Sequence, residues 1–178
     1  METIHIIDSK EPITKGYSFT FHEFFKPTYG GGIEFDIPVP LVDAMQWLRN
    51  YFNMKWLITS TIRPNDKFGF HVTGYAIDSI PLELNKRLDV LNQYKQECLQ
   101  YQETGKSELI ENLREKEVNG FMIEGQNCIH LDVRDENNPH LVASKDKYGK
   151  YIVCFWSPSS TSTNGINQVV YQSKNFKQ

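Results

Sequence analysis

Cysteine is scarce: Cys98, Cys128 and Cys154 lie far apart, with no C-x-x-C pair among them. That argues against a disulfide framework or a structural zinc knuckle and favours a reducing compartment. No apolar run approaches the roughly 18 residues of a membrane span. Met1-Glu2-Thr3-Ile4-His5 has neither the basic n-region nor the apolar h-region of a secretory leader. The expectation is a chain made soluble in the cytoplasm. Neither sign of charge dominates. A net charge of −3 and a pI near 6.0 leave no electrostatic footprint for nucleic acid or an anionic membrane surface. Internal repeats are missing too. The one glycine cluster, Gly30-Gly31-Gly32, has no preceding strand, following lysine or helix to make a phosphate cradle, so it reads as a mobile loop.

What is present suffices for one domain. The chain has 178 residues, 39% of them apolar, with nine Tyr, eleven Phe and three Trp, enough to bury most of the surface that the unfolded chain exposes. Thr3 to Ile7 alternates weakly and reads equally as a short edge strand or a frayed terminus. Pro38-Val39-Pro40 leads into a helix whose stripe is Leu41, Ala44, Met45, Leu48, Tyr51 and Phe52. Proline suits its first turn, and Asp43 lies toward the positive end of the dipole. A strand is expected at Lys55 to Thr59. Pro81 to Glu103 suggests an amphipathic helix carrying Leu84, Leu88, Leu91, Cys98 and Tyr101, broken at Thr104-Gly105-Lys106. Ser107 then caps a second helix bearing Leu109, Ile110 and Leu113, which ends at Asn119-Gly120. Short strands follow at Phe121 to Glu124 and Cys128 to Arg134. A further apolar strand, Tyr151 to Trp156, is expected to pair with the latter. From Ser157 the composition is that of a flexible connector, before a final edge strand at Val169 to Tyr171. The fold class is α+β: a small antiparallel sheet flanked by helices, in a single domain 1–178, with residues 81–120 as a helical insertion and a flexible C-terminal segment from 157.

The chemistry concentrates in Gly69 to Asp78 and in Cys128 to Arg134. Two imidazoles and one carboxylate, His71, Asp78 and His130, suit a catalytic zinc ion, because three protein ligands leave the fourth tetrahedral position open. The odd spacing of His71 and Asp78 would set them on opposite faces of a straight strand. A turn at Thr73-Gly74 removes that obstacle. Past it, Ala76 and Asp78 share one face, and the small Ala76 leaves room beside the carboxylate. In the second stretch Ile129, Leu131 and Val133 face one way, and Cys128, His130, Asp132 and Arg134 the other. Each motif taken singly also reads as a satisfied core histidine, a turn aspartate or ordinary strand polar groups. His5, His22 and His140 stand alone and read as ordinary histidines.

Ser60-Thr61-Ile62-Arg63-Pro64, then His71-x-x-Gly74-x-Ala76-x-Asp78, then Ile129-His130-Leu131-Asp132-Val133-Arg134 resemble the zinc D-alanyl-D-alanine peptidases. That group includes the VanY and VanX carboxypeptidases and many phage endolysins, and it shares its zinc-site architecture with the hedgehog signalling domain and lysostaphin-type enzymes. The nearest branch has H-x-D-x-R as its third motif. The resemblance runs from about Tyr17 to Arg134, and finding the three ligands and Arg63 in family order weighs against the ordinary reading of each. It implies Zn2+ held by His71, Asp78 and His130, and hydrolysis of peptidoglycan stem peptides or cross-links next to D-amino acids. It also implies that Arg63 binds the substrate carboxylate or the developing oxyanion. The place of action would be the bacterial cell wall, reached through a holin or by lysis. The chain departs from the family where Gly69 replaces a serine and where Asn127 stands at the position of the catalytic acid. Asparagine cannot act as a general base. The carboxylate left on that face is Asp132, about 6.6 Å along the strand from His130, either as the base or as a partner that orients an imidazole. Glu124 is the reserve. The alternative is a binding or structural module that keeps the zinc fold without turnover. A fourth protein ligand, Cys128 or His140, would mark such a closed site.

Overall fold

The computed structural model describes residues 1–14, 16–26, 32–66, 70–124, 128–133 and 153–157. Gly30, Gly31, Gly69, the turn 125–127 with Asn127, Arg134, His140, the loop 135–147 and the segments expected after 157 lie outside the described residues.

The chain begins with β1 (Thr3–Ile6) and a single-turn helix α1 (Phe21–Phe25). Glu23 accepts a hydrogen bond from the Thr20 backbone at 2.8 Å, one half of a capping box. β2 (Phe35–Pro38) then pairs antiparallel with β1. It was not expected, since Pro38 reads as the entry to the helix that follows. Pro38 ends β2 and caps α2 (Val39–Tyr51), where Pro40 sits in the first turn, whose N–H groups have no partner within the helix. The expected stripe is the buried one: Leu41, Ala44, Met45 and Leu48 are fully covered. Asp43 serves another purpose, accepting a hydrogen bond from the Tyr17 hydroxyl.

The second sheet holds β3 (Trp56–Ser60), β4 (Ala76–Pro81), β5 (Gly120–Glu124), β6 (Cys128–Asp132) and β7 (Val153–Ser157), in the order β3-β4-β6-β5-β7. All pairs are antiparallel except β5 with β7. The expected pairing of the last strand with the metal-bearing strand is therefore wrong. β6 has both edges taken, by β4 and β5, so β7 adds to the open edge of β5.

Between β4 and β5 run α3 (Leu84–Thr104) and α4 (Glu108–Glu115). Gly105 closes α3 in the left-handed conformation, φ 74°, and the Ser107 side chain accepts the Ile110 N–H to start α4. The buried face of α3 is the expected one only in part: Leu84 and Leu88 are 76% and 64% exposed, while Leu91, Cys98 and Tyr101 are covered, with Val90 and Tyr94 beside them. These side chains, with Leu109, Ile110 and Leu113 of α4, join Ile77, Phe121, Ile129 and Leu131 of the sheet in one core. The helices thus pack on the apolar face of the sheet and leave the opposite face to Asp78 and His130. Among the described residues, no helix is long and apolar enough to cross a membrane.

Candidate metal centre

The site begins with a bulge. β3 and β4 are in register from Trp56↔Pro81 to Ile58↔Ser79, and then slip so that Ser60 faces Asp78. A bulge re-aims side chains, and here Ser60 comes to stand beside the carboxylate. Past β3 the chain runs alongside a 3-10 turn, Phe70–Thr73, with the Arg63 N–H donating to the His71 carbonyl at 2.8 Å. Gly74 then turns with φ +77°. A side chain there would be strained, and its Cβ would lie 2.9 Å from the Asp36 carbonyl oxygen of β2. The expected turn at Thr73-Gly74 is present. It returns the chain into β4 with Asp78 directly opposite His130 of β6.

His71, Asp78 and His130 are all buried, and they offer donor atoms within 4.8 Å of one another. Those atoms are identifiable. His71 Nε2 is 3.1 Å from Asp78 Oδ1 and 3.2 Å from His130 Nδ1, and His130 Nδ1 is 2.7 Å from Asp78 Oδ1. Bonds of 2.0–2.1 Å at tetrahedral angles would separate ligand atoms by about 3.3 Å, so a small outward adjustment admits an ion.

Each ligand is also held from behind. His71 Nδ1 donates to the Thr61 carbonyl, which leaves Nε2 for the ion. Asp78 Oδ2 accepts from Arg63 Nη2, while Arg63 Nε is tied to Ser60 Oγ at 2.7 Å. His130 Nε2 is 3.2 Å from Asp132 Oδ2, which leaves Nδ1 for the ion. Three partners, Thr61, Arg63 and Asp132, thus fix ring and carboxylate orientation, as outer groups around a metal do. Asp132 is fully buried on the far side of the imidazole from the three donor atoms.

The charges agree with this arrangement. Burial pulls the His130 imidazole toward neutrality, but Asp132 and then Asp78 outweigh it and raise its pKa to about 9. Burial would raise the Asp78 carboxyl, yet hydrogen bonds from His130 and His71 hold it well below the usual carboxylate range. The two carboxylates thus favour positive charge at this position, whether a proton on His130 or a divalent cation in its place.

All five side chains expected at the site, His71, Asp78, His130, Asp132 and Arg63, are brought together. Cys128, half-buried on β6, is outside the ligand group; its Sγ lies 3.8 Å from Thr59 Oγ1. Among the described residues the group therefore has three ligands, and His140 lies outside them. Sequence reasoning passed over Ser60 and Thr61 as parts of the site. Ser60 and Thr61 stand in the Ser60-to-Pro64 motif, but their use depends on the bulge and on a backbone carbonyl, which no residue pattern reveals. Comparison with known proteins found no matching family model, no matching curated protein and no matching solved structure.

Proposed function

We propose that the chain is a zinc-dependent peptidase that hydrolyses peptidoglycan stem peptides or cross-links at bonds next to D-amino acids, as its resemblance implies. The observation that carries the reading is the His71, Asp78, His130 triangle, in which every ligand has its other polar atom engaged. Two nitrogens and one oxygen are the protein donors of a catalytic zinc site, which leaves its fourth position to water or substrate. When bound, zinc supplies a Lewis acid for the scissile carbonyl and lowers the pKa of a coordinated water to about 7.

The chain's own residues orient and bind. Arg63 holds Asp78 Oδ2, which leaves Oδ1 beside the two imidazoles where an ion would be bound, and Arg63 is partly exposed, so its remaining N–H groups can also meet a substrate carboxylate or a developing oxyanion. Asp132 suits the orienting role better than that of the base, because its carboxylate already serves His130 Nε2 and lies behind the ring. Leu57 and Ile80, paired across β3 and β4, stand on the same sheet face as Asp78, as do Thr59 and Cys128. That neutral surface suits short apolar side chains such as those of alanine.

Digestion of purified peptidoglycan, with and without a chelator, and identification of the products by mass test the reading. Chelator-sensitive release of fragments cut beside a D-amino acid is expected. A second reading, a metal-bearing module without turnover, is favoured by one observation: both described carboxylates at the centre, Asp78 and Asp132, are engaged. Stoichiometric zinc with no released fragment would select it.

A further inference from the structure

We infer that Gly120 is a positioning residue for the metal centre: the space left by its missing side chain is the slot in which Asp132 sits to hold the His130 ring. The inference rests on reading His71, Asp78 and His130 as metal ligands. Asp132 faces Gly120 on one neighbouring strand and Ala76 on the other. Directly opposed residues in an antiparallel pair point to the same face, so the carboxylate is flanked by the two smallest side chains available. The fit at Gly120 is absolute. A Cβ built there would fall among the Oδ1, Cγ and Oδ2 atoms of Asp132.

Conformation is not the reason for glycine. Gly120, the first residue of β5, is not among the positive-φ glycines, so its backbone is open to alanine. What alanine cannot have is the volume, since Asp132 is fully buried and would have to swing away. His130 Nε2 would then lose its carboxylate, and with it the hold that helps to keep Nδ1 aimed at Asp78 Oδ1 and His71 Nε2. Loss of such an outer partner costs roughly 10–100-fold in metal affinity.

The test compares the wild type, Gly120→Ala, Asp132→Ala and the double variant. Zinc affinity is read by chelator competition, and the His130 ring state from its ¹⁵N shifts. The expected result is that Gly120→Ala weakens zinc about 10–100-fold and changes the His130 ring shifts, yet alters neither when Asp132 is already alanine. Wild-type affinity and ring shifts in Gly120→Ala would overturn the inference, as would an equal loss in both backgrounds. If Gly120→Ala alone does not fold, a folded double variant with the affinity of Asp132→Ala supports the slot, and an unfolded one refutes it. Should the wild type bind no zinc, the metal reading fails, and the ring shifts of the four metal-free proteins still decide whether Gly120 positions His130.

Discussion

His130 has one nitrogen turned toward Asp78 and the other toward Asp132, and its chemistry depends on which partner is lost. Asp132→Asn keeps a hydrogen-bond acceptor behind the ring but removes the charge. The expected outcome is zinc affinity lower by about 10–100-fold, with turnover recovered as zinc is added. A loss of rate of roughly 10²–10⁴-fold at undiminished zinc occupancy would instead identify Asp132 as the base. A second residue, Tyr17, gives a pH prediction. Burial and then the hydrogen bond to Asp43 raise the Tyr17 phenol to about 12. The folded state thus favours the neutral phenol. Its contribution is complete below the unfolded pKa of about 10 and is lost as pH rises through the folded value. Titration followed by the ring ¹³C shift should show one tyrosine ionising near pH 12, missing in Tyr17→Phe.

Elements were legible where their own residues determine their faces. The α2 stripe and the alternation in β6 needed nothing beyond period, because each element lies on the core along its length. α3 was legible as a helix, and in its buried face from Leu91 to Tyr101, but not in where that face begins. Its leucines at 84 and 88 continue a helical stride back from Leu91, yet buried positions begin at Val90, so the first turns carry apolar side chains that the core does not reach. Which strand β7 joins was not written in β7 at all, since that depends on which edges remain open. The ligand trio was readable because a turn glycine and one strand of alternation sufficed to aim it. Its supports were not, because Thr61 acts through a carbonyl and Gly120 through an absence. The burial on α3 and α4 can be checked by urea unfolding. Leu84→Ser and Leu88→Ser should change stability by no more than about 0.5 kcal/mol. Leu91→Ala and Leu109→Ala, at positions inside the shared core, should each cost about 2–5 kcal/mol.

At the scale of the whole molecule, the segment between β4 and β5 is an expected insertion that the topology makes indispensable. β4 and β5 lie on either side of β6 and both run antiparallel to it, so they are parallel to each other. Parallel strands cannot be joined by a tight hairpin and need a crossover of about a dozen residues or more. α3 and α4 are that crossover. They also bring Tyr94, Leu109, Ile110 and Leu113, all fully buried, onto the face of the sheet opposite the metal group. Each such apolar side chain contributes about 1.5–3 kcal/mol on burial, which is large against a net stability of about 5–15 kcal/mol. Replacing residues 82–119 with a short glycine-rich turn keeps His71, Asp78 and His130. It removes both the path between β4 and β5 and the helical cover on the apolar face of the sheet. The shortened chain should show no cooperative thermal transition and no stoichiometric zinc. A sharp transition with one zinc bound per chain would mean that the sheet assembles around the ligands by itself, and that the helices are an ornament on it.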